Sequence, residues 1–148
     1  MRAPRYTFAF IPAALLLSAC NEQPGEITRD TEPFGAIDEA ASVSLLGTEP
    51  FWSLDVEPAG EGYEARYSTP DNIEGTAFPA TRFAGNNGLG FSGMLDGDAV
   101  TASLTPGSCS DAMSDRTYPY IATVRIGERT LRGCGYTSDE PYSGDEAP

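Results

Sequence analysis

The chain has 148 residues, with 22 Asp and Glu against nine Lys and Arg, for a formal net charge of -13. It contains no histidine, which excludes Ser-His-Asp and Cys-His nucleophilic sites and the usual zinc ligands. A surface this acidic repels nucleic acid and anionic headgroups, so charge favours solubility, a cation or a cationic protein partner.

Arg2 and Arg5 precede an apolar run from Tyr6 to Leu17 that is too short to span a bilayer as a mature helix. This is the pattern of a cleaved export signal over residues 1–19. The run ends in Leu17-Ser18-Ala19-Cys20, a lipobox in which small residues fit the signal peptidase and the Cys20 thiol accepts a diacylglyceryl group. The expected product is a bacterial lipoprotein anchored to a membrane through Cys20. Two or three acyl chains would hold it, because a single chain anchors only marginally. Asn21 stands where an inner-membrane retention signal would place Asp, so the expected address is the outer membrane, facing the periplasm.

Residues 20–44 are rich in Glu, Asp, Pro, Gly and Thr, with scattered apolar residues such as Ile27, Phe34 and Ile37. They read as a flexible acidic linker. Residues 137–148 are again acidic and rich in Pro and Gly, and read as a disordered tail. Between them, residues 45–136 alternate apolar and polar residues in short runs bounded by turn residues, as half-buried antiparallel strands do.

Three hairpins can be paired. Trp52, Leu54 and Val56 share one face and can oppose Tyr67, Ala65 and Tyr63 across a loop from Glu57 to Gly62. Asp96-Gly97 suits a two-residue type I′ turn, which sets Gly93, Phe91 and Leu89 opposite Val100, Ala102 and Leu104. Gly127-Glu128 suits a type II′ turn, which sets Val124 opposite Leu131 and, on the other face, Ile121 opposite Cys134. Short strands near Leu45 and from Ala77 to Phe83 bring the count to about eight, so the expected fold is all-β, a small antiparallel barrel or sandwich.

Three cysteines look odd in an exported chain until Cys20 is assigned to the lipid. Cys109 and Cys134 remain, and an oxidising compartment predicts a disulfide between them. A redox-active pair lacks the close Cys-x-x-Cys spacing and a neighbouring histidine.

The polar cluster Cys109 to Tyr120 holds Asp111, Asp115 and Arg116. Its Ser and Asp residues suit side-chain capping of a turn, and the segment reads as a structural corner tied to the disulfide in preference to a ligand pocket. Calcium binding through Asp111 and Asp115 lacks the regular ladder of a dedicated loop, so no metal and no cofactor are expected. No carboxylate pair stands out as catalytic, and no enzymatic activity is expected. In Gly47-Thr48-Glu49-Pro50-Phe51-Trp52 the alternation assigns Trp52, the sole tryptophan, to the core. Phe51 is left facing outward as a pointer to a binding surface, and Glu49 is a candidate ion-pair partner for Arg116.

Gly47 to Trp52, Tyr67-Ser68-Thr69-Pro70, Cys109 to Tyr120 and Leu131-Arg132-Gly133-Cys134 together resemble an uncharacterised family of proteobacterial envelope proteins, often lipoproteins. Some members look related or fused to small β-domains of the META type or of the membrane-bound inhibitor of c-type lysozyme. The resemblance implies a β-domain and an envelope address, and no established activity. Ala112 departs from it, standing where the pattern has glycine. The first functional reading is a non-enzymatic envelope lipoprotein that binds a partner or ligand at a rim of Glu49, Phe51, Asp111, Asp115 and Arg116. One alternative is inhibition of a basic lysozyme, although that inhibitor family's own motif is absent. Another is a structural or stress-related protein without a discrete site.

Overall fold

The computed structural model describes residues 33–145. The expected signal peptide, Cys20 and most of the expected linker lie outside them. Eight antiparallel strands follow one another: β1 (Val43–Thr48), β2 (Phe51–Ala59), β3 (Gly62–Thr69), β4 (Asn72–Ala84), β5 (Leu89–Leu95), β6 (Asp98–Ser110), β7 (Thr117–Ile126) and β8 (Arg129–Thr137). Each pairs with the next, and β8 pairs with β1, closing a barrel in which no strand edge is left open.

The turns follow from their residues. Asp96 and Gly97 both take positive φ, 51° and 94°, the type I′ geometry that matches the twist of the flanking strands. The registers expected for β5–β6 and β7–β8 are found residue for residue, including Phe91 opposite Ala102, Val124 opposite Leu131 and Ile121 opposite Cys134. The first hairpin differs. Leu54, Val56 and Pro58 face Tyr67, Ala65 and Tyr63, two positions from the expected pairing, because the chain turns at Gly60-Glu61 and not over a longer loop. Gly60, at φ 59°, permits the tight turn, which lengthens both strands. A shift of two preserves the buried face.

Eight strands enclose a space that side chains alone can fill. Leu45, Ala102, Leu104, Ala122 and Val124 are 0% exposed, and Trp52, Leu54, Val56, Phe91, Tyr120 and Leu131 join them in one core. Trp52 is thus a core residue, packed over Gly47. A Cβ on Gly47 would overlap the indole nitrogen and lie 2.8 Å from the Arg132 carbonyl oxygen, which explains the glycine there.

The domain is larger than the expected 45–136. Residues 33–42 dock against one end of the barrel: Ile37 and Ala41 are buried, Phe34 packs on the core, and Arg82 donates to the Ile37 carbonyl at 2.9 Å. Apolar residues spaced three or four apart were enough to tie down this acidic stretch. Residues 137–145, expected to be disordered, also fold back. Thr137 is buried, Glu140 accepts a hydrogen bond from Tyr120 at 2.6 Å, and Ser143 bridges Thr117.

Candidate binding cleft

The pairing of β6 with β7 shifts register between Pro106 and Cys109, and β7 pairs with β8 only as far as Tyr120 opposite Gly135. Beyond this point the end of the hairpin, residues 107–118, leaves the barrel wall as an arm. Three links tie it back to the outer face of β8 and β1. Cys109 and Cys134 form the expected disulfide, with Cα atoms 5.5 Å apart. The Thr48 hydroxyl donates to the Asp111 carbonyl at 3.1 Å. Tyr118, 1% exposed, packs its ring against Tyr136 and Tyr142.

Asp111 organises the bend of the arm. Its carboxylate accepts from the backbone N–H groups of Met113 and Ser114 at 3.0 and 2.9 Å, from the Ser114 hydroxyl at 2.8 Å and from the Tyr118 hydroxyl at 3.1 Å. These donors favour the ionised form. The Met113 N–H, with the Ser114 and Tyr118 groups behind it and partial burial opposing, holds its carboxyl down at about 2. Burial pushes the Tyr118 hydroxyl above its ordinary value, with a hydrogen bond from Arg116 pulling the other way. The Arg116 guanidinium lies 4.3 Å from the centre of the Tyr142 ring, within cation–π range. Ala112 sits in this bend at φ 60°, a left-handed conformation that favours glycine.

The arm and the outer face of β1, β2 and β3 border an open cleft of about 740 Å³. Strand periodicity decides which side chains reach it: Leu46 and Thr48, then Phe51, Ser53 and Asp55, then Arg66 and Ser68 alternate with the buried residues of the same strands. Pro70 and Ile73 also line it, and Asp111, Met113, Ser114 and Arg116 form the arm side.

Of the expected rim, the cleft brings together Phe51, Asp111 and Arg116. Glu49 lines a neighbouring hollow with Cys109 and Arg132, whereas Arg116 lies in the cleft against Tyr142. Arg66 pairs with Glu64 at 3.3 Å and Arg82 with Glu39 at 3.6 Å. Asp115 is exposed on the arm outside the cleft lining. The Asp111 carboxylate is engaged within the bend, and the same corner builds a wall of the cleft. Ile73 and Met113, 84% and 60% exposed, were not among the candidates. Their signal was an apolar residue beside a turn with no apolar partner at strand spacing.

Among the described residues, no group of three or more Cys, Asp and Glu side chains is placed to hold a metal ion. Compared with known proteins, the chain matches no family model, no curated protein and no solved structure.

Proposed function

We propose that the chain is a lipoprotein of the bacterial envelope, anchored through Cys20, whose barrel is a non-enzymatic binding domain with its site in the cleft beneath the arm. The lipobox and the resemblance to an envelope family support the address. One observation carries the site: Phe51, Ile73 and Met113, three of the six large apolar side chains exposed among the described residues, converge on this one cleft. Exposed apolar surface gathered in one concavity marks a recognition site, whereas single exposed apolar residues are ordinary.

The neutral apolar fluorophore N-phenyl-1-naphthylamine tests the site. Its emission should rise with the wild-type domain and fall back with Phe51→Ala or Met113→Ser, both at unchanged melting temperature. Equal emission from all three proteins would remove the cleft as a binding site. For the anchor, mass spectrometry of the mature protein should find Cys20 N-terminal and acylated; an unmodified Cys20 would refute it.

A further inference from the structure

The cleft is an open groove along the barrel wall. A small ligand bound tightly buries most of its surface in an enclosed pocket; an open groove suits a chain segment that lays one side chain in and runs on across the rim. The charge around the groove then selects the segment. The two arginines that line it are already engaged: Arg66 donates to the Glu64 carboxylate and the Glu74 carbonyl, both at 3.3 Å, and Arg116 lies against Tyr142 and Tyr118.

The acids at the rim are not neutralised in this way. Glu49, Asp71 and Asp115 are exposed, each sits in a turn or bend beside lining residues, and neither of the ion pairs Arg66–Glu64 and Arg82–Glu39 includes them. Acidic residues therefore border the three exposed apolar side chains of the cleft, on a chain of net charge -13. A second copy of this chain carries the same excess of negative charge and is disfavoured as the occupant. We propose that the cleft docks a basic polypeptide segment, which inserts an apolar side chain between Phe51, Ile73 and Met113 and lays flanking Lys or Arg residues against Glu49, Asp71 and Asp115. This rests on the reading of the cleft as a binding site and adds the class of partner.

Interfaces concentrate their energy in a few buried apolar or aromatic anchors, while rim charges act mainly on encounter rate and salt dependence. The two contributions can be separated with three fluorescein-labelled synthetic peptides of equal length: lysine-rich with a central tryptophan, glutamate-rich with the same tryptophan, and lysine-rich with glycine in its place. Fluorescence anisotropy with the complete domain should show binding of the first alone, weakened by salt as screening shortens to about 10 Å at 0.1 M. Phe51→Ala and Ile73→Ala should each weaken it about tenfold or more. Glu49→Gln with Asp71→Asn should flatten the salt dependence and leave a weaker, apolar component. All four side chains are exposed, and an unchanged melting temperature confirms that each variant is folded.

If the glutamate-rich peptide binds as well as the first, the class of partner is wrong and the cleft still stands as a site. Equal binding of the glycine peptide, or insensitivity to both Phe51→Ala and Ile73→Ala, would show diffuse charge attraction and overturn the docking itself. Binding of none of the three also overturns it.

Discussion

The barrel and its arm are held by different physics. In the barrel, apolar side chains on alternate positions meet in one core, and the backbone pairs in ladders from strand to strand. Burial is non-directional, so the wall tolerates substitutions that keep volume and pattern. The arm has little apolar content of its own. A disulfide, four hydrogen bonds to one carboxylate, and the rings of Tyr118, Tyr136 and Tyr142 hold it in place. Such contacts depend on direction and on single partners. The barrel therefore supplies most of the stability and the arm supplies the shape of the site.

Leu104→Ala should do the most damage, about 3 to 5 kcal/mol in denaturant unfolding, because its side chain is fully enclosed and the wall cannot collapse onto the gap. The loss should appear together in barrel and arm. Replacing both Cys109 and Cys134 by Ser should cost roughly 3.5 kcal/mol, from the loop entropy of a separation of 25 residues. Here the two regions should part: native-state hydrogen exchange should show residues 107–118 losing more protection than β2 to β4. Uniform loss would mean that the arm is not a separate unit.

Acid should have a smaller effect, also on the arm. Because the folded protein holds the Asp111 carboxyl at about 2, below its ordinary 3.8, its contribution is complete above about pH 4 and disappears as the pH falls towards 2. Asp111→Ala should lower stability at neutral pH and remove that part of the acid dependence. A pH profile identical to wild type would disprove the assignment. Smallest of all, Ala112→Gly should stabilise by up to about 1 kcal/mol, since relief of left-handed strain exceeds the added freedom of glycine in the unfolded chain.

The regions also differ in how far the sequence exposes them. Period-two alternation and the pairs Asp96-Gly97 and Gly127-Glu128 specify strands, faces and two registers, because each depends on residues close in the chain. The Gly60-Glu61 turn was less legible: a glycine within an acidic, Pro-containing stretch fits a tight turn and a longer loop equally well. The cleft depends on where the arm crosses the barrel, which no local pattern contains. Phe51 was visible because alternation turns it outward beside a buried Trp52. Ile73 and Met113 lie 40 positions apart in number but reach one cleft, a relation set by the disulfide and the departure of β7 from β8. The docking of residues 33–42 was obscured by their acidic composition, although Ile37 and Ala41 carry the spacing that seats them.

The order of the strands has a consequence in time. Seven of the eight ladders join strands that are neighbours in the chain, so the sheet can grow by one strand as each emerges. The eighth joins β1 to β8, where Val43 meets Thr137 and Leu46 meets Cys134. The earliest strand must therefore keep one side unpaired until the latest arrives. A chain cut short before β8 would leave β1 with an open edge, the form most apt to pair with another molecule.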